Sequence, residues 1–162
     1  MSTADGVLRR LERVEERLRV HATHEFPAGA LTAPDPPTGE RWQAGQVWAH
    51  VAEFIPYWHA EAAALVARGA GEPAPFGRTK SDPGRIAAIE RDRRTDPAAL
   101  WTRAEDAIEG LRGFLAGLDD DAWHVRGRHP TIDVMDMGAI VEEFLVGHLE
   151  QHSDQLDALA RA

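Results

Sequence analysis

Apolar residues recur every three or four positions at Leu8, Leu11, Val14 and Leu18, with charged residues between them, which is the period of an amphipathic helix. This predicts a first helix over residues 3 to about 24. Pro27, Pro34, Pro36 and Pro37, with Gly29 and Gly39, then crowd a segment in which neither a helix nor a central strand persists. Helical spacing returns over residues 45–68 through Val47, Val51, Phe54 and Leu65, and Gly69 and Gly71 stop it. Residues 71–84, which include Pro73, Pro75 and Pro83, read as a loop, followed by a short helix over residues 86–94. Asp96 and Pro97 supply a cap and a first-turn proline for a third long helix, whose stripe Leu100, Ala104, Ile108, Leu111 and Leu115 ends near Gly117. Residues 119–131 are polar and are expected to be loop. Asp133 or Asp136 caps a last helix with the stripe Ile140, Phe144, His148, His152 and Leu156. No strand-period run of comparable length occurs. Four long helices with irregular connections, none uniformly apolar, predict an all-α chain: an antiparallel four-helix bundle, with residues 1–162 as one domain.

Composition narrows the function classes. The 162 residues are 43% hydrophobic, enough for one sizeable core. Acidic residues outnumber Lys and Arg by 27 to 18, for a formal charge of −9, and no basic block interrupts that balance. Nucleic acid and anionic membrane surfaces are therefore disfavoured as partners. The absence of cysteine excludes a disulfide framework, a thiolate zinc site and a cysteine nucleophile. Any metal must be held by His, Asp or Glu. The N-terminus lacks an apolar signal core and no apolar run approaches the ~18 residues of a membrane helix, so a cytoplasmic protein is expected.

The histidines carry the candidate chemistry. His148 and His152, at i and i+4, lie in the apolar stripe of the last helix and point into the bundle. His50 lies among Val47, Val51 and Phe54 on the apolar face of the second helix. A single inward histidine is ordinarily a hydrogen-bonded core residue. Three inward imidazoles from two helices can instead converge on one divalent cation and leave a coordination position open; zinc, nickel and iron all suit such a set. His59 follows His50 by nine residues, about half a turn of arc, and is expected to face the other side, solvated; His21 and His24 are read as surface residues. Glu53, Glu61 and Glu143 are candidates for orienting a ligand imidazole or moving a proton, with Glu53 and Glu143 the catalytic candidates. Trp58 and Trp123 could line a pocket near helix ends. His124, Arg126, Arg128 and His129, in the polar segment before the last helix, could bind an anionic substrate group, since Arg grips carboxylates bidentately. Glu-x-x-His pairs, a His-Glu-x-x-His helix, a glycine-rich phosphate loop and a Gly-x-Ser-x-Gly elbow are all missing.

Trp42 followed by Val47-Trp48-Ala49-His50-Val51-Ala52-Glu53, with Gly147-His148-Leu149-Glu150-Gln151-His152-Ser153-Asp154-Gln155-Leu156 at the far end, resembles the DinB/YfiT-like superfamily, which includes mycothiol-dependent maleylpyruvate isomerases. The resemblance spans nearly the whole chain. It implies an up-down-down-up four-helix bundle with a divalent metal on His50, His148 and His152, and thiol-linked chemistry on a small molecule with a low-molecular-weight thiol such as mycothiol. The isomerases carry a second domain and a Glu ligand where this chain offers His, which favours the stand-alone members. The leading expectation is thus a metal-dependent thiol S-transferase or hydrolase. The alternatives are a non-catalytic metal- or ligand-binding bundle in stress response or self-resistance, and a homodimer that buries a helix face.

Overall fold

A computed structural model describes residues 2–162. Helix α1 (Thr3–His21) opens on a reciprocal cap, in which the Ser2 hydroxyl accepts from the Asp5 amide and the Asp5 carboxylate accepts from the Ser2 amide. Helix α2 (Ala44–Arg68) runs unbroken past Pro56, which sits on its exposed side. Helices α3 (Pro83–Asp92) and α4 (Pro97–Ala116) each begin with an aspartate cap, Asp82 and Asp96, followed by proline in the first turn. The last long helix is composite. It comprises α5 (Met137–Ile140), capped by Asp136, a π-helical segment (Val141–Leu145) and α6 (Val146–Ala160).

Cross-helix pairs fix the directions. Arg10 bonds Glu142 and Glu150 while Arg17 bonds Asp154 and Asp157, so α1 and α6 run parallel. Glu15 meets Arg112 and Arg19 meets Glu105, so α1 and α4 are antiparallel. Trp48 packs on Trp101 and His59 on Phe114, which makes α2 parallel to α4. His50 meets His152 and Trp58 meets Phe144, which makes α2 antiparallel to the last helix. The connectivity is therefore up-down-down-up, with α1 and α2 each packed between α4 and α6. Such an order needs one long crossover, between the parallel α2 and α4, which the second Pro/Gly-rich segment and α3 provide, while the first Pro/Gly-rich segment joins α1 to α2 at one end of the bundle. Leu11, Leu18, Trp48, Phe54, Ile108, Leu111 and Leu145 are fully enclosed between the helices. Among the described residues, no helix is long and apolar enough to cross a membrane.

The expectation of loop throughout residues 71–84 and 119–131 is corrected by a small sheet. Strand β1 (Ala74–Pro75) pairs parallel with β2 (Arg126–His129), and β2 pairs antiparallel with β3 (Asp133–Asp136), in register Ala74 to Gly127 and His129 to Asp133. Strands of two and four residues are too short to show alternation. The hairpin turn also hides itself, because Asp133 adopts φ 73° where a glycine would have marked the position. Gly127 is required by close approach, since a Cβ there would lie 2.5 Å from Phe76 and 2.7 Å from Leu65. A second correction concerns His21, which is buried and bonded to Asp157 of α6, 2.5 Å away, rather than lying on the surface.

Candidate metal centre

His50 stands in the second turn of α2, and His148 and His152 stand one turn apart on α6. A four-residue repeat drifts about 40° per step on an ideal α-helix, so the stripe from Ile140 to Leu156 would wind off the core. The π-helical segment has more residues per turn and takes up part of that drift. Gly147 permits it: a Cβ there would come 2.1 Å from the Glu142 carbonyl oxygen. His148 follows immediately.

The three imidazoles converge. His50 Nε2 and His152 Nε2 each lie 3.1 Å from His148 Nε2, and one nitrogen from each ring falls within 4.8 Å of the others. The outer nitrogens explain why these atoms are free to point inward. His50 Nδ1 donates to Glu53 Oε1 at 2.8 Å and His152 Nδ1 donates to Gln155 Oε1 at 2.7 Å, which leaves both Nε2 atoms as lone-pair donors toward the cluster. Each acceptor lies three residues after its histidine. Glu53 is in turn gripped by both of its oxygens from Arg78 Nη2, at 2.7 and 2.6 Å, and Arg78 packs over the Tyr57 ring. Glu53 and Arg78 are nearly buried, a paired charge behind the histidine. Burial raises the Glu53 pKa while Arg78 holds it down.

Electrostatics keep the imidazoles neutral. Burial pushes His50 well below its ordinary value, helped by His152 and His148, and pushes His148 down with help from His152. Burial brings His152 down to about 4, against its hydrogen bond to Gln155. Neutral imidazole is the form that ligates metal, and three neutral nitrogens aimed at one point, two of them with fixed tautomers, fit a divalent cation. Without an ion, His148 can give a proton to only one of its two neighbours, and a buried lone pair stays unpaired.

Beside the cluster opens a cavity of about 490 Å³, lined on one side by Trp42, Thr79 and Arg85 and on the other by Trp58, Phe144 and His129. Trp58 and Phe144 stack at 4.0 Å between centroids, giving an apolar wall. His129 is a structural clamp rather than an anion binder: its Nε2 donates to the Arg78 carbonyl at 3.0 Å, and its Nδ1 accepts from the Thr131 and Ile132 amides. Glu143 is exposed on the cavity rim and Glu61 accepts from the Gly77 amide outside it.

The remaining sequence candidates lie elsewhere. His124 is exposed beside a short 3₁₀ turn (Ala122–His124), Arg126 sits near Leu65 and Gly69, and Arg128 pairs with Asp133. Strand alternation explains this, because Arg126 and Arg128 share the exposed face of β2 while Gly127 and His129 share the buried one. Trp123 packs in the core rather than the cavity. His59 faces away from the cluster, half-buried against Phe114 rather than solvated. Sequence reasoning missed Arg78, Arg85 and the role of Gln155. Arg78 lies in the Pro/Gly-rich segment, which has no periodicity, and Arg85 just after it, but the repeated spacing His50-x-x-Glu53 and His152-x-x-Gln155 was a usable signal.

The model of the DinB superfamily matches residues 10–156. The chain belongs to the DinB superfamily. Its fold is similar to that of YfiT from Bacillus subtilis, described as a probable metal-dependent hydrolase with an unusual four-helix bundle topology, with a TM-score of 0.75 and 18% identity over 99% of this chain and 89% of that one. It is also similar to a mycothiol-dependent maleylpyruvate isomerase, with a TM-score of 0.70 and 15% identity over 98% of this chain. The chain spans 62% of that longer protein. No curated protein matches the sequence.

Proposed function

We propose that this protein is a metal-dependent enzyme acting on a small molecule, a hydrolase or a thiol-dependent S-transferase, with a divalent ion on His50, His148 and His152. The observation that carries the proposal is the convergence of three neutral imidazoles, two of which, His50 and His152, have their tautomers set by Glu53 and Gln155. A divalent ion there would supply a Lewis acid that favours the deprotonated form of water or of a thiol at neutral pH. Zinc, nickel and iron are all compatible with the donor set. The described functions of YfiT and of the mycothiol-dependent isomerase support the two reaction classes.

The chain's own residues supply the rest. Glu53 positions His50 and is itself immobilised by Arg78, so it acts through the histidine. Glu143, on the rim and outside any ion pair among the described residues, is placed to take or return a proton at the cavity mouth. Trp58 and Phe144 present an apolar wall to the substrate and exclude water from one side. With no cysteine in the chain, sulfur chemistry requires an added thiol, and a small cytoplasmic thiol such as mycothiol is the co-substrate of the transferase form.

The test is elemental analysis of native protein, followed by turnover of activated esters and of an electrophilic acceptor, with and without thiol, after chelation and after reloading. Activity that is lost on chelation, restored by metal and absent in His50→Ala is expected. Dependence on thiol selects the transferase, and indifference to it selects the hydrolase. Tight stoichiometric metal with no turnover across the panel would overturn the enzyme reading in favour of a sequestering module.

A further inference from the structure

The cavity holds one cation without an anionic partner. Arg78 is neutralised by Glu53 and Lys80 by Asp35, whose carboxylate is 2.7 Å away. Arg85, from the first turn of α3, is different: among the described residues no carboxylate lies within ion-pair distance of it, and its Nη1 donates only to the Lys80 carbonyl, at 2.9 Å. Its guanidinium lies over the Trp42 ring, 5.5 Å from the centroid, and the same indole packs edge-on against His50 at 5.4 Å and stacks on His152 at 6.3 Å. The cation and the histidine cluster are thus held against one aromatic platform, and both line the same cavity. Burial, with the neighbouring Arg78 charge, lowers the Arg85 pKa against the pull of Glu53, Glu40 and Asp35, none of which reaches it as an ion pair, so an anion in direct contact would offset part of that cost. The same cavity is lined by the stacked pair Trp58 and Phe144 and by Ile132.

We propose that Arg85 is the specificity-determining residue of the cavity, and that the substrate is a small organic anion whose carboxylate or similar oxyanion head is held by Arg85 while its apolar body lies against Trp58 and Phe144. This deepens the enzyme reading above and rests on it. The planar guanidinium offers two parallel donors to a two-oxygen head, which a lysine would not match. The anion-binding role expected of Arg126 and Arg128 falls instead to an arginine at the start of α3.

The experiment uses cobalt-loaded protein. The visible bands of the ion report whether wild type and Arg85→Gln load equally, and calorimetric titration compares phenylacetate with its neutral analogue phenylacetamide. Arg85 hydrogen-bonds the Lys80 carbonyl and not the histidines, so both proteins should take up one ion each, with Arg85→Gln, which removes a nearby positive charge, loading at least as readily. Phenylacetate should bind wild type at least tenfold more tightly than the amide, the preference should collapse in Arg85→Gln, and Arg85→Lys should restore part of it. A preference that survives in Arg85→Gln would overturn the proposal, because the carboxylate would then be held by the ion or by another cation. No preference in wild type would overturn it as well. Absence of cobalt bands would defeat the metal reading instead, and the same titration on metal-free protein would still decide the role of Arg85.

Discussion

At the scale of single residues, the behaviour of the site turns on Glu53. It is the acceptor that fixes the His50 tautomer and the only carboxylate bonded to Arg78 at close range, with Asp82 3.8 Å from the other guanidinium nitrogen. Glu53→Ala would leave a guanidinium nearly buried with its main partner gone, and removing one member of a buried pair costs about 3–5 kcal/mol. Glu53→Gln keeps an acceptor for His50 and is expected to lose less stability while still weakening the metal site, as outer partners of ligands typically do by about 10–100-fold. Denaturant unfolding with parallel metal titration separates the two effects. Equal stability of Glu53→Ala and wild type would contradict the buried pair. The histidines and Glu53 were legible because each sits in a helix whose period is visible. Arg78 was not, since a contact across 25 residues between an aperiodic loop and a helix leaves no trace in spacing.

At the scale of elements, the π-helical segment and α3 each make a claim that can be checked. Gly147→Ala places a methyl against the Glu142 carbonyl and should cost about 1–3 kcal/mol while displacing His148, so metal affinity falls with stability. Gly113, exposed in α4 with open space around it, is the control: Gly113→Ala should be neutral or stabilising by about 0.5–1 kcal/mol, measured by thermal unfolding. Helix α3, which carries Arg85, is tied to α4 through Asp92, bonded to its neighbour Arg91 and to Arg103 of α4. Those partners, Arg91 first, bring the Asp92 pKa down to about 2. Because the folded value is the lower one, the contribution is complete above the unfolded value near 3.9 and disappears as pH falls through 2. Asp92→Asn should therefore cost roughly 1–2 kcal/mol at pH 6, allowing for solvent screening, with the difference from wild type closing as pH approaches 2. The long helices were legible from their stripes and caps, whereas the π turn was not, because one residue of extra arc lies within the tolerance of any helical pattern. The three short strands escaped for want of length.

At the scale of the whole molecule, the three-histidine cluster joins elements that the chain order keeps apart. In this up-down-down-up bundle α2 neighbours the last helix although α4 lies between them in sequence, so the packing between α2 and α6 must be reached across about 100 residues. The core holds that pair together by burial of Trp48 and Leu145 and of Phe54, whose ring packs against His50, His148 and His152 with or without an ion, so the bundle should fold without one. An ion that binds only the native state then adds RT ln(1 + [L]/Kd), about 2.7 kcal/mol at a hundredfold excess over Kd. His148 lies between the other two ligands, 3.1 Å from each, and its removal leaves two donors on different helices with no bridging partner. His148→Ala is accordingly expected to keep a helical circular dichroism spectrum, to lose stoichiometric zinc or nickel, and to unfold at the same temperature with and without the ion. Wild type should gain several degrees on metal addition and lose them again on chelation. If wild type and His148→Ala respond identically to added metal, the three imidazoles are a packed polar cluster and the crossing of α2 and α6 is held by the core alone.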